Sequence, residues 1–293
     1  MLFQEYWPFF VAGIILYVIA RVGYAYMVEK DKKLQYKHKK NEDLQTPDQI
    51  ADIDKDDSGE ADDEEELVPA YPENLEHIPL NFQKITIEES IKRSNEFYEL
   101  LNKRRTVRHF SNDPVPREII ANIIKAAGTA PSGAHTEPWT YVVVSSMGIK
   151  EKIREIIEQE EEINYKKRMG KVWTTDLKPF RTNWIKEYLT EAPYLILVFK
   201  QMYSFKSNGQ KKLHYYNEQS VSLACGLLIA AVHYAGLVSL TSTPLNCGPA
   251  LRTLLERPMN EKLTLLLPVG YPANNCLVPD LKRKSLDKIL IEM

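Results

Sequence analysis

Residues 129–139 read TAPSGAHTEPW, and the apolar run WTYVVVS begins on the last of them. Before this stretch, residues 116–130 carry a helical pattern. A proline opens the first turn, and Ile119, Ile120, Ile123 and Ile124 fall on one stripe. After it, residues 139–145 read as a strand. The segment between is therefore a turn at the edge of a buried sheet. Ser132 supplies a hydroxyl there. Gly133 permits either the close approach of a flat ligand or a positive-φ turn. Taken alone, the turn demands no chemistry.

Working outward, Ile87–Asn102 has helical periodicity, with Ile91, Phe97, Leu100 and Leu101 as apolar contacts. Residues 149–169 read as a long charged helix, and residues 192–200 hold the buried strand YLILVF. An apolar helix, central to the fold, is expected over 214–234. Strands are expected at 237–241 and 263–269. Helices and strands interleave, which predicts a sheet covered on both faces. The phosphate-binding patterns GxGxxG and GxxxxGK[ST] are absent, as are HExxH and GxSxG. Residues 278–293 read as a polar loop followed by a short apolar tail, able to pack on its own subunit or to cross to a partner.

The chain has 293 residues, 44% hydrophobic and 27% charged, which reads as globular. Its formal net charge of −2 excludes a generally basic nucleic-acid binder. That average hides three blocks. Residues 1–40 carry 7 Lys/Arg against 3 Asp/Glu, residues 41–66 carry 13 acids against Lys55, and the remainder is mildly basic. Three cysteines, Cys225, Cys247 and Cys276, argue against a disulfide framework, a CxxC pair or a structural zinc site. Residues 6–28 are apolar apart from Arg21 and flanked by aromatics, with six lysines following. A single transmembrane anchor is expected over 1–28, with the body behind it in the cytoplasm by the positive-inside rule. A basic flank and an acidic, disordered tether follow over 29–70. The order of acids in the tether does not match an EF-hand. The catalytic body is expected over 71–293.

Three segments stand out by their chemistry. Arg104, Arg105 and Arg108 lie in NKRRTVRHF just beyond the first helix. Guanidinium forks suit phosphate, and a solvated charge run is the alternative. The turn at 130–139 is the second segment. The third, TSTPLNCGP at 241–249, follows a strand, so its hydroxyls either meet a ligand at the sheet edge or cap a turn. Glu161 and Tyr165 are four apart and share a helical face. On pattern alone, residues 158–162 are a solvated acidic run and Lys186 is a surface lysine.

Together these segments resemble the FMN-dependent nitroreductase superfamily. RRTVRHF is similar to its arginine-rich opening, and PSGAHTEPW to its Pro-Ser-…-Pro-Trp turn. Within that superfamily, TAPSGAHTEPW, EEEINYKKRMG, RTNWIKEYL, TPLNCGP and VPDLKRK resemble the iodotyrosine deiodinases. The resemblance runs from about Glu76 to the C-terminus. Many nitroreductases carry Asn and Gln in the turn where this chain has His135 and Glu137, which weakens a generic nitroreductase reading.

The resemblance implies an α+β fold, a nitroreductase-like mixed sheet flanked by helices, in an obligate homodimer with FMN at the subunit interface. The implied flavin contacts are Arg104, Arg105, Thr106, Val107, Arg108, Pro131, Ser132, Gly133, Thr241, Ser242, Thr243 and Arg283. The arginines take the phosphate, and Thr243 donates to flavin N5. Glu161 is implied to pair with the ammonium of a halotyrosine and Lys186 with its carboxylate, with Tyr165 packed beside them. The backbone N–H of Ala134 meets the phenolate oxygen. The implied activity is reductive deiodination of 3-iodotyrosine and 3,5-diiodotyrosine. NADPH is the ultimate donor, through a possible separate reductase. Two alternatives remain at this point: an FMN oxidoreductase acting on nitro compounds or quinones, and a tethered flavin-binding protein without turnover.

Overall fold

The computed structural model of the chain describes residues 69–206 and 209–293. The chain divides into two units, Met1–Val68 and Pro69–Met293, and all described residues belong to the second. Its centre is the strand β2, Tyr194–Gln201, with Leu195 through Phe199 wholly excluded from solvent. An unbroken apolar run of this kind is what a strand covered on both faces requires. Side chains alternate across the sheet, so Leu195, Leu197 and Phe199 enter one core while Ile196 and Val198 enter the other.

β2 pairs antiparallel with β1, Trp139–Val144, on one side and with β6, Glu261–Gly270, on the other. A register shift between Val198 and Phe199 marks a bulge. The two-residue β5, Val238–Ser239, adds to β6, giving the order β1-β2-β6-β5. Thr106 joins Ser239 in a parallel bridge, which makes the sheet mixed. A separate hairpin pairs β3, Tyr203–Phe205, with β4, Lys211–Leu213.

The first core holds Ile153 and Ile157 of the charged helix α3, Met147–Ile163, with Leu189 and Leu251. These come from the short helices α5, Tyr188–Glu191, and α7, Gly248–Leu254. The second holds Ile120 and Ile123 of α2, Arg117–Ala127, against Val221, Cys225, Leu228 and Val232 of α6, Asn217–Tyr234. The expected isoleucine stripe of α2 is half buried: Ile120 and Ile123 are covered, and Ile119 and Ile124 are partly exposed. The apolar helix α6 covers one stripe only, leaving Leu223, Leu227 and Tyr234 exposed.

Several expectations are corrected. The first helix, α1, spans Ile87–Asn102 as expected, and the Thr86 hydroxyl caps it by accepting from the Glu89 amide at 3.2 Å. It buries no residue, however, and Ile91 and Phe97 are exposed. The charged helix does not run to Met169. It passes into a π-turn, Asn164–Arg168, and then into α4, Gly170–Leu177. The apolar tail packs against nothing that buries it, and Leu286, Ile289 and Ile291 are exposed around a 3₁₀ turn at Leu286–Lys288.

The expected transmembrane helix over 1–28 and the tether of 29–70 lie outside the described residues, save Pro69 and Ala70. Among the described residues no helix is long and apolar enough to cross a membrane. The expected single-pass topology with a cytoplasmic body finds no support among the described residues. The structure is that of one chain, and the expected obligate homodimer and separate reductase find no support in it.

Candidate active site

The edge of the sheet assembles the site. The Val107 amide donates to the Ser239 carbonyl at 3.1 Å, which docks the arginine segment beside β5. Ser242 and Leu266 exchange backbone hydrogen bonds at 2.9 and 2.8 Å, which docks the threonine loop on β6. Neighbouring strand ends thus carry two of the sequence-derived segments, although they lie more than a hundred residues apart.

Arg104, Arg105, Thr106, Arg108 and Arg283 line one cavity of about 240 Å³ together with Lys282, and Phe180, Val278, Pro279 and Leu281 provide its apolar wall. No carboxylate is among its lining residues. Two of the guanidinium groups have structural duties. Arg283 donates to the Asn102 carbonyl at 2.9 Å and the Arg104 carbonyl at 2.9 Å, and Arg105 donates to the Asn102 carbonyl at 2.7 Å. They neutralise the C-terminal end of α1, where carbonyls lack helical partners. Burial, then the charges of Arg283 and Arg105, hold the Arg104 guanidinium below its ordinary value. A partly buried set of like charges with no acid among the lining residues suits an anion, and guanidinium forks suit phosphate in particular. The donor set therefore fits the phosphate of FMN.

A second cavity of about 590 Å³ shares Thr106, Arg108, Phe180, Val278 and Pro279 with the first. Residues 181–183, Ile185, Glu187 and Tyr188 extend it toward the acidic face of α3. Glu161, Tyr165 and Lys186, expected to read an amino acid, line neither cavity. Lys186 Nζ stands 3.4 Å from Glu161 Oε2, and the two side chains are only 8% and 11% exposed. The same ammonium lies 5.2 Å from the centre of the Tyr165 ring and donates to the Asn183 carbonyl. Burial lowers the Lys186 pKa, and Glu161 opposes the shift. Burial likewise raises the Tyr165 phenol, which pairs with Thr182. Lys186 is thus no surface lysine and Glu161 no solvated acid. The helical stripe of α3 turns Glu161 inward while Glu162 stays outside.

Sequence reasoning missed three supporting groups. Glu158 accepts from the Lys186 amide at 2.6 Å and from Arg154 Nε at 2.7 Å, pinning the lysine segment to α3. Asn164, buried in the π-turn, donates to Glu161 Oε1 at 3.3 Å and to the Leu245 carbonyl at 3.5 Å. It links the acid to the loop that follows Thr243. π-turns of this kind recur at functional sites. Tyr188 is buried and hydrogen-bonded to Ser242, and burial is the main cause of its raised pKa. Asn164 and Tyr188 fall inside the quoted segments EEEINYKKRMG and RTNWIKEYL, yet no spacing rule marks them.

The turn at Pro131–Ala134 lines neither of these cavities. Gly133 supplies close approach, though to protein: a Cβ there would stand 2.9 Å from the Tyr215 carbonyl oxygen. The positive φ falls instead on Ala134, His135 and Glu137, at 48°, 49° and 47°. Non-glycine residues in this region are uncommon and carry strain. The turn engages its own amides, with His135 donating to the Ser132 carbonyl, Thr136 to the Gly133 carbonyl and Glu137 to the Ser132 hydroxyl. The hydroxyl of Tyr71 donates to the His135 carbonyl at 3.2 Å.

Comparison with known proteins fits this geometry. The Nitroreductase family profile matches residues 101–271. Iodotyrosine deiodinase 1 of Mus musculus is 66% identical over 219 residues, 75% of this chain and 77% of the relative. Iodotyrosine deiodinase of Danio rerio is 52% identical over 298 aligned residues, 99% of this chain and 98% of the relative. Among solved structures, an oxidised iodotyrosine deiodinase bound to FMN and 3-iodo-L-tyrosine is 34% identical with a TM-score of 0.57, covering 65% of this chain and 96% of its own. A BluB-like flavoprotein from Clostridium difficile is 26% identical with a TM-score of 0.53, covering 67% and 98%. With sheet, anion cavity and buried charge pair in place, the chain belongs to the iodotyrosine deiodinases of the FMN-dependent nitroreductase superfamily.

Proposed function

We propose that this chain removes iodide reductively from 3-iodotyrosine and 3,5-diiodotyrosine with FMN as its cofactor. The observations that carry the reading are the buried Glu161–Lys186 pair near the Tyr165 ring and a basic cavity whose lining contains no acid. An amino acid presents an ammonium and a carboxylate on one carbon, and each needs an opposite charge once water is excluded.

The net change is simple. Two electrons and one proton enter, the carbon–iodine bond breaks, a carbon–hydrogen bond forms at the same ring position, and iodide leaves. FMN, once reduced, supplies the two electrons. Arg104, Arg105, Arg108 and Arg283 hold its phosphate, with Arg105 and Arg283 already oriented by the end of α1. Thr106 and Val107, with Thr241, Ser242 and Thr243, supply backbone and hydroxyl groups at the adjoining strand ends, and Thr243 is the donor assigned to the flavin ring. The family resemblance assigns Pro131, Ser132 and Gly133 to the flavin and the Ala134 amide to the phenolate oxygen, although their turn lines neither cavity. Glu161 takes the substrate ammonium and Lys186 its carboxylate. Tyr165 closes over them and keeps water out.

The test is anaerobic reduction of the FMN-loaded protein followed by addition of 3-iodotyrosine. Flavin reoxidation should accompany iodide release in one-to-one ratio. Reoxidation by a nitroaromatic but not by iodotyrosine would overturn the reading in favour of a nitro-reducing oxidoreductase.

A further inference from the structure

Asn164 is 1% exposed, and its carboxamide stands between two acceptors and two donors. Its Nδ2 donates to Glu161 Oε1 at 3.3 Å and to the Leu245 carbonyl at 3.5 Å. Its Oδ1 accepts from Arg168 Nη1 at 3.2 Å and from Asn246 Nδ2 at 3.5 Å. A carboxylate and a carbonyl only accept, and a guanidinium only donates, so the amide has one orientation open to it. An aspartate here would set an oxygen against two acceptors, and an aliphatic side chain would leave all four partners short of a bond. The contacts are long, as hydrogen bonds of a site often are before a ligand closes it. On its far side the amide holds the threonine loop. Ser242 is fixed to Leu266 of β6 by two backbone hydrogen bonds. Leu245 is fixed through its carbonyl, whose other partner, the Cys247 thiol at 3.4 Å, is a weak donor. Thr243 and Pro244 alone lie between these anchors. Pro244 locks its own φ and keeps Thr243 out of the helical region. With the first anchor and the proline set, the direction of the exposed Thr243 side chain follows from where Asn164 holds Leu245.

We infer that Asn164 is a positioning residue that acts on the flavin through Thr243. It ties the acid assigned to the substrate ammonium to the loop whose hydroxyl is assigned to the flavin ring. The inference rests on the function proposed above and deepens it. Asn164 lines neither cavity, so its effect on the cofactor has to pass through a neighbour. The path runs from Glu161 Oε1 through one planar amide to the Leu245 carbonyl, two residues from Thr243. One nitrogen serves both acceptors, so a movement of the carboxylate that turns the amide plane also moves the loop. At 1% exposure no bulk water replaces either bond, and an amide lost here leaves the loop held at Ser242 only.

The test is a double-variant cycle on the flavin midpoint potential of the FMN-loaded protein, with L-tyrosine at saturation as a ligand that takes up no electrons. The four proteins are the parent, Asn164→Ala, Thr243→Ala and the combination of both. Thr243→Ala should change the ratio of oxidised to reduced flavin at fixed potential by roughly fivefold, about 20 mV for a two-electron couple. Asn164→Ala should shift the potential in the same direction, and the combined variant should shift it no further than Thr243→Ala alone. Shifts from residues that act independently add, and shifts from residues that act through one another do not. If Asn164→Ala does not hold FMN, Asn164→Ser, which keeps one donor, replaces it in the cycle with the same expectation. An unmoved potential in the Asn164 variant, or two shifts that add, overturns the inference, and so does an unmoved potential in Thr243→Ala. Iodide release from 3-iodotyrosine by the parent protein tests the proposed function separately, so the cycle can fail while that function stands.

Discussion

Glu161→Gln keeps the shape of the side chain and removes its charge, leaving the Lys186 ammonium with the Asn183 carbonyl and the Tyr165 ring. Breaking a buried pair by removing one partner costs about 3–5 kcal/mol. The remaining carbonyl partner and the loose 3.4 Å contact place this case at the lower end, near 3 kcal/mol. For a body of this size each kcal/mol lowers the melting temperature by about 2–4 °C. The loss has a defined pH dependence. Burial already holds the Lys186 pKa below its ordinary 10.5, and Glu161 opposes that shift. Without Glu161 the folded-state value falls further. Between the lowered value and 10.5 the unfolded chain then binds more protons than the folded one, so stability rises with pH across that window. The variant starts its window lower than the parent, and its deficit should shrink as pH climbs toward 10. Thermal unfolding of both proteins without substrate, at pH 7 and pH 10, measures this. A deficit that stays the same at both pH values, or no deficit at pH 7, would refute the claim that an unpaired buried ammonium is the cause.

Three further outcomes follow from the same geometry. Arg108→Ala should weaken FMN retention by about 1.5–3 kcal/mol in equilibrium dialysis, since Arg108 lines both cavities and the fold uses other guanidinium groups to tie down α1. An unchanged FMN affinity removes Arg108 from the phosphate site. Gly133→Ala should destabilise the body by about 1–3 kcal/mol in denaturant titration, because the new methyl group meets the Tyr215 carbonyl at 2.9 Å. Stability equal to the parent would mean that the turn has room the structure does not show. Of the three thiols, Cys225 and Cys247 are buried and pushed up to about 11 and about 12, while Cys276 is partly exposed. A thiol reagent at pH 8 should therefore modify one cysteine in the native protein and three after denaturation, and rapid native modification of Cys247 would contradict its burial.

Much of this protein was legible in the order of its residues. The apolar run of β2 announced a buried strand, α2 announced itself by periodicity and α6 by its long apolar run, because burial acts on side chains at fixed spacing along a regular backbone. The segments RRTVRHF, PSGAHTEPW and EEEINYKKRMG pointed to the family before any contact was known. Local pattern could not place what depends on residues far apart in the chain. Glu161 looked like one acid in a solvated run, and Lys186 like any lysine in NWIKEYL. Only packing α3 and the segment before α5 on the same sheet face brought their charges to 3.4 Å and excluded water from both. The end of α3 was missed because the π-turn is held by Asn164, whose partners include Leu245, some eighty residues on. The role of Gly133 was half right for a similar reason. The sequence shows that a side chain is missing there, but which atom fills the space, the Tyr215 carbonyl, is decided by where the chain returns. Helix α1 shows the converse: its apolar residues gave the right helix, yet periodicity cannot say what covers a stripe, and Ile91 and Phe97 lie open to solvent in this chain. Spacing along the chain determined the elements and the chemistry each could offer. Distance in space determined which charges met and how far water was kept from them, and those two quantities set the electrostatics of the site.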